Sequence, residues 1–455
     1  MARRQPNRRL AALLAEAGWG PAQLAREVNG LGRAQGLTLS YDRTAVAHWL
    51  TGSRPRPPVP ELVASAFSGR GGRLVTAEET GLTKARQAAD DPLLPHRSGA
   101  GDTVDRLVAL CRADADPVSR AGVTGSAYTL ADLTALDWRP KRLPAVRSAG
   151  PSRQVTREDI QQLFRMVQVF VDLMEFHGGA HGRSALVAYL ADDASPLLVA
   201  PGPPALRREL LTGAGQLAHV VARMSMDAGH ARLAQSYFTI TLDLAGEADD
   251  RRLHAVTLRA MSIQALSLGF RKRAAHLADV AVDTAGPDAD PSTQAFLLSQ
   301  RAVTHAYARR RREAVSDLAT AQAQHDRADG GTGPFTRYPR PGLDYQRGRA
   351  LLALGEPAQA VHALTTAADA RPEDRHRSSA LTRARLAGTL LTLGRLEEAC
   401  IQWQVFLDHY PMLHAAPADQ ALRQLRTSLR GFHRQPHAAA VLRRARSVSR
   451  PAPPG

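Results

Sequence analysis

The chain has 455 residues, a formal net charge of +16 and a hydrophobic fraction of 44%. That leaves room for two or three domains around a large core. No uninterrupted apolar run approaches the roughly 18 residues of a membrane span, so no transmembrane helix is expected.

The apolar run behind the basic start MARRQPNRR covers only Leu10 to Ala15 before Glu16. It is shorter than a secretory signal needs, and a cytoplasmic protein is expected. Cys111 and Cys400 are the only cysteines. So distant a pair predicts buried small hydrophobes, with no disulfide framework and no cysteine-based zinc site. Of the 59 basic residues only Lys84, Lys141 and Lys272 are lysines, an arginine bias typical of high-GC coding. Residues 1–75 hold 11 arginines against Glu16, Glu27, Asp42 and Glu61. A small module this basic fits a polyanion partner, because neutralised phosphates release counterions. A solvated basic surface would have the same composition.

In chain order, Leu10, Leu13 and Leu14 form an apolar stripe ending at Gly18. Trp19-Gly20-Pro21 is a turn with proline at a helix start, and Leu24, Ala25 and Val28 form a second stripe. Ser40 precedes YDRTAVAHWL, in which Val46, Trp49 and Leu50 face inward and Gly52 stops the helix. The expected core of this bundle is Leu13, Leu24, Val46, Trp49 and Leu50. The order of Leu24-Ala25-x2-Val28, then Thr44-Ala-Val-Ala-His-Trp-Leu-x-Gly-Ser-Arg-Pro55, resembles the helix-turn-helix of phage-repressor-like regulators. That resemblance implies a third helix lying in the DNA major groove. Arg43, Thr44, Ala47 and His48 share the face opposite Val46 and Trp49, where arginine pairs with guanine edges and the others meet base edges or phosphate. Arg54, just past the helix, suits a phosphate. The same residues would also suit the solvent-facing side of a small helical bundle. Between Val28 and Ser40 the sequence is longer than the family's tight turn. Either the second helix extends to about Gln35 or a loop is inserted.

Residues 84–153 are rich in glycine, proline, aspartate and arginine, and are expected to be a mobile, largely irregular linker. Short helices are expected near Val104–Cys111 and Leu130–Leu136. Residues 154–432 are expected to be helical almost throughout, without strands. Asp192-Asp193 before Ser195-Pro196 reads as a helix end. Residues 433–455 read as a basic, proline-rich, frayed tail.

The third region repeats. A glycine is followed by alanine five residues later, a bulky residue about nine later and a small one about twelve later. The anchors Gly229, Gly269, Arg309, Gly355 and Gly394 are spaced by 40, 40, 46 and 39 residues. Glycine ends one helix, alanine lets the next approach, and the bulky residue fills the groove against the following repeat. The copy running through Gly348, Gly355, Ala360, Leu364, Ala367 and Pro372 resembles a tetratricopeptide repeat. Stacked hairpins would form a solenoid.

The stretches FVDLMEFHGGAHGRSALVAYL and LAHVVARMSMDAGHARLAQSYFTITLDLA resemble actinobacterial regulators that join a helix-turn-helix to tetratricopeptide-like repeats. Some members of that group influence development and secondary metabolism. His177 and His181 are four apart, but Gly178, Gly179 and Gly182 argue against a helix through both, and no nearby carboxylate completes a metal set. A loop packing on the first repeat is the expected reading. No phosphate-binding loop, serine-nucleophile elbow or dinucleotide fingerprint occurs, so neither enzyme activity nor a cofactor is expected.

The all-α reading is therefore a DNA-binding transcriptional regulator, expected to bind double-stranded DNA as a homodimer. Its repeat domain would bind a peptide, protein or small-molecule effector, or pair two subunits. The alternative is a helical-repeat scaffold that binds other proteins through its N-terminal bundle, without specific DNA binding.

Overall fold

The computed structural model describes residues 6–35, 37–71, 75–83, 103–124, 127–130, 133, 136–141, 143, 154–329 and 335–448. Among the described residues the regular structure is helical, with no strand. The N-terminal bundle contains α1 (Arg8–Ala17), α2 (Pro21–Ala34), α3 (Arg43–Leu50) and α4 (Val59–Gly71). Their apolar stripes meet in one cluster containing Leu10, Leu13, Leu24, Val28, Val46, Trp49, Leu62 and Phe67. Leu50 differs from the expectation of a core residue in degree. It is partly buried and packs on the cluster's edge.

Within the expected linker, α5 (Thr103–Ala115) and α6 (Pro117–Thr124) pack on the repeat domain. The expected helix near Val104–Cys111 is therefore present and runs one turn further. The described residues between 103 and 141 nevertheless dock on the repeat domain. Leu107, Leu110 and Cys111 are buried in the largest core, as are Leu130, Leu133 and Leu136. Asp114 takes two hydrogen bonds from Arg183, at 2.6 and 3.0 Å, and a third from the Tyr237 hydroxyl at 3.0 Å. A buried carboxylate satisfied by a guanidinium fork and a phenol holds the segment to the domain. Burial pushes the Cys111 thiol up to about 12, leaving it protonated and inert as a nucleophile.

The repeat domain opens with α7 (Arg157–His177), whose Thr156 and Asp159 form a capping box. After α8 (Arg183–Ala188) comes a π-helical turn, Tyr189–Ala194, and then α9 (Ser195–Leu198). The Asp192-Asp193 stretch thus continues a helix instead of ending one. Five hairpins follow: α10 (Pro204–Asp227) with α11 (Ala231–Ala248), α12 (Arg251–Ser267) with α13 (Arg271–Ala285), and α14 (Pro291–Tyr307) with α15 (Arg311–Asp326). The last two are α16 (Arg340–Leu354) with α17 (Pro357–Asp369), and α18 (His376–Thr392) with α19 (Leu396–His409).

All five turns fall at the anchors read from the sequence, and each anchor has positive φ: 90° at Gly229, 90° at Gly269, 63° at Arg309, 83° at Gly355 and 75° at Gly394. Gly348 lets α16 and α17 touch. A Cβ there would sit 2.7 Å from Leu364 Cγ. Two helices, α20 (Ala416–Ser428) and α21 (Pro436–Ser447), finish the array. The expectation of a frayed tail from residue 433 is wrong as far as Val448. Ala438, Val441, Leu442 and Ala445 recur at helical spacing and are buried against the last hairpin. Residues 449–455 lie outside the described residues.

The array closes on itself, because α7 packs against both the first hairpin and α18. Arg377 on α18 grips Asp227 at the end of α10 with two hydrogen bonds, 3.0 and 2.6 Å. Asp227 also accepts the Gly179 amide at 2.8 Å. Arg375 reaches Asp172 of α7 at 2.8 Å.

Two expected outcomes follow from the third hairpin. Arg309 adopts a left-handed conformation that costs a side-chain-bearing residue about 1–2 kcal/mol, so Arg309→Gly should stabilise the protein despite the entropy of glycine, by about 0.5–1 kcal/mol net. A thermal melt should rise, and a fall would contradict the turn geometry. His305 lies 3.3 Å from Asp279 and 3.0 Å from Asp317, and these carboxylates raise its imidazole to about 9. A folded value above the unfolded one stabilises the fold fully below about pH 6.5 and is lost as pH rises through 9. His305→Gln should therefore lower the melting temperature more at pH 6 than at pH 10. An equal loss at both pH values would remove the ion pair from the account.

Candidate nucleic-acid interface

The geometry of α3 follows from its ends. Asp42 caps it by accepting the Ala45 amide at 2.8 Å. Asn29 of α2 pins the residue before the cap, donating to the Tyr41 carbonyl at 2.7 Å and accepting the Tyr41 amide at 3.0 Å. Tyr41 then meets Trp49 edge to face, with ring centroids 5.1 Å apart. The Asn7 amide, entering α1, donates to the Leu50 carbonyl at 2.8 Å. Both ends of α3 are thereby tied to the bundle, and its roll about its own axis is set by Val46 and Trp49, 0% and 4% exposed.

That roll turns Arg43, Thr44, Ala47 and His48 to solvent together. Arg54 is exposed just beyond the helix, as is Arg56. Because α1 begins where α3 ends, Arg8 and Arg9 at the start of α1 join this end of the bundle, and both are exposed. Neither they nor Arg56 were among the residues singled out from the sequence. The contact between Asn7 and Leu50, 43 positions apart, brings α1's start to α3. The exposed surface can supply guanidinium, hydroxyl, methyl and imidazole groups along one helix, with further arginines flanking it.

The long connection after α2 takes the first of the two courses allowed by the sequence. The helix continues to Ala34 with Gln35 as its cap, and the chain then folds back. The Leu37 amide bonds to the Gly32 carbonyl at 2.8 Å, and Leu39 lies where a Cβ on residue 32 would be, 2.5 Å from its Cδ1. The side chain of Gln35 also accepts the Tyr128 amide at 2.8 Å. On its far side Tyr128 stacks on Phe270 of the second hairpin, with centroids 5.7 Å apart. The same short segment thus touches both the bundle and the repeats.

His177 is the last residue of α7, and His181 follows in the turn before α8. Their rings lie 4.4 Å apart in the loop that joins α7 to α8. That loop packs on the far end of the array, where the His414 amide donates to the His177 carbonyl at 2.7 Å and the Ala180 amide to the His414 carbonyl at 2.9 Å. Among the described residues no group of three or more histidines, cysteines or carboxylates could hold a metal ion. No helix among them is long and apolar enough to cross a membrane.

Removing the Trp49 ring should cost about 3–5 kcal/mol, since it empties the centre of a small core. The expected result for Trp49→Ala is loss of amide protection in α1–α4 by hydrogen exchange while the repeat helices keep theirs. Retained protection in α3 would mean that Trp49 does not set its orientation.

Residues 10–83 match the family model of the SP15 N-terminal domain. No curated protein matches the chain.

Proposed function

We propose that the chain is a DNA-binding transcriptional regulator, with residues 1–83 as its reading head and the repeat domain as the part that takes a regulatory input. The observation that carries this reading is the presentation of Arg43, Thr44, Ala47 and His48 on one exposed helix face, held rigid by Val46 and Trp49 beneath it. Arginine flanks at Arg8, Arg9, Arg54 and Arg56 supply the phosphate contacts such a helix needs. One module of this size covers too little DNA for high specificity, so two copies bind paired half-sites. The connection through Tyr128 gives the repeat domain a physical route to the reading head. An effector acts by favouring one arrangement of the two over another.

Titration of the full chain against a selected operator at two salt concentrations tests the proposal. Arg43→Ala should cost about 1–3 kcal/mol and relax preference at one operator position. Arg54→Ala should weaken all sequences about equally and lower the salt slope by about one. If both variants fold and bind as the unaltered protein does, α3 is not the reading element. The bundle would then be a protein-docking module on a helical-repeat scaffold.

A further inference from the structure

The inner helices of the closed array surround a cavity of about 1340 Å³. Small-molecule sites run to about 300–1,000 Å³, so it has room for one with ordered water. Nine arginines line it against three carboxylates, Asp172, Glu175 and Asp227. Those three are already engaged. Asp172 pairs with Arg375, Asp227 with Arg377, and Glu175 accepts from Ser378 and lies 3.7 Å from Arg377.

Five other arginines on the wall have no carboxylate within 4 Å among the described residues: Arg223, Arg259, Arg349, Arg371 and Arg385. Four come from four of the five inner helices, α10, α12, α16 and α18, while α14 contributes Phe296 instead. Their hydrogen bonds go to uncharged oxygens: Arg259 to the Phe296 carbonyl at 2.7 Å, Arg349 to Gln346 at 2.9 Å, Arg371 to Thr382 at 2.9 Å and Arg385 to the Tyr345 hydroxyl at 3.2 Å. The Nε of Arg349 is buried without a hydrogen-bond partner.

Burial, aided by neighbouring guanidinium groups, pushes Arg223 and Arg349 down and Arg259 down to about 9. Burial raises the Tyr345 phenol, but the charges of Arg385, Arg349 and Arg371 outweigh it and bring the group to about 8. Concentrating cations in a partly desolvated space is costly, and among the described residues no carboxylate pairs directly with these five. Aromatic rings share the wall: Phe296, with the Arg259 guanidinium 3.5 Å above its centroid, together with Phe335, Tyr338 and Tyr345.

We infer that this cavity binds a small molecule carrying two or more phosphate groups and a flat ring, the chemistry of a nucleoside diphosphate. Guanidinium forks converging from four helices match a compact polyanion with several oxygens per phosphorus. An acidic peptide carries one charge per side chain along an extended backbone and fits such convergence less well. The neighbouring rings supply a stacking surface for a base. Binding in the cavity stands independently of DNA recognition, and only its role as the regulatory input rests on the function proposed above.

Calorimetric titration of the full chain, without DNA, with pyrophosphate, ADP and hexaglutamate tests the inference. ADP and pyrophosphate should each bind one per chain and raise the melting temperature, with ADP the tighter. Arg349→Met and Arg385→Gln should each weaken ADP at least tenfold. Arg349→Met should also leave the ligand-free melting temperature unchanged or higher, because it removes a buried unpaired charge. A purely structural arginine would lower it. Absence of binding by both phosphate compounds, or ADP binding that survives the double substitution, would overturn the proposal. Hexaglutamate binding in preference to ADP would also overturn it and assign the cavity to acidic peptides. Because no DNA is present, a failure of the DNA-binding reading leaves these outcomes unaffected.

Discussion

The architecture depends on one buried ion pair. Asp227, whose side chain is 1% exposed, ends the first inner helix, and Arg377 begins the fifth. Stacked hairpins normally extend as an open superhelix, each touching only its neighbours. Here the fork of Arg377 joins repeats 150 positions apart. Burial opposes the charge on Arg377, but Asp227 and Glu175 outweigh it and hold the guanidinium firmly protonated. Losing either partner would strand a buried charge, at a cost of about 3–5 kcal/mol. Gly179 completes the clasp, since a Cβ there would fall 2.5 Å from the Cβ of Asp227.

Closure makes an interior out of what would otherwise be an open concave face. An exposed arginine row would be screened by water and salt, and unremarkable in a chain this basic. Enclosed by inner helices, the same row becomes a set of partly desolvated cations whose charges raise one another's energy. The N-terminal bundle is seated on the outside of this ring. Gln35 and Ser65 hold the backbone of Tyr128, and Gln235 holds that of Thr129, so one strand of chain is bonded to the bundle on one side and to α11 on the other. A change in ring packing near Phe270 therefore has a short mechanical path to the N-terminal bundle.

Much of this was legible in the sequence where a local rule sufficed. The turn at Arg309 is legible from its spacing and from Ala314, Leu318 and Ala321 behind it, although no glycine marks it, because repeats impose register even where one copy has lost its signature residue. The orientation of α3 was legible because Val46 and Trp49 alternate with polar residues at helical spacing. The docking of α5 was only half legible. Val104, Leu107 and Cys111 mark a helix, but the pair that anchors it, Asp114 with Arg183, spans 69 positions and has no local signature. The terminal helix was hidden by its arginines, which snorkel from a stripe of small apolar residues that alone does the packing. The histidines at 177 and 181 suggested chemistry by type, yet their glycines belong to the clasp. The arginine cavity was invisible because its members lie far apart in the sequence, on four inner helices and the turn after α17, and converge only when the ring closes.

Hydrogen exchange at the clasp tests closure most directly. The amides of Gly179, Ala180 and His414 lie in loops, yet each donates to a partner in another part of the array. They should exchange as slowly as the adjoining helices α7 and α18, and Arg377→Gln should speed all three while α12 to α15 keep their protection. Exchange at loop rates in the unaltered protein, with the helices protected, would mean the array is open in solution, and the enclosed cavity would go with it.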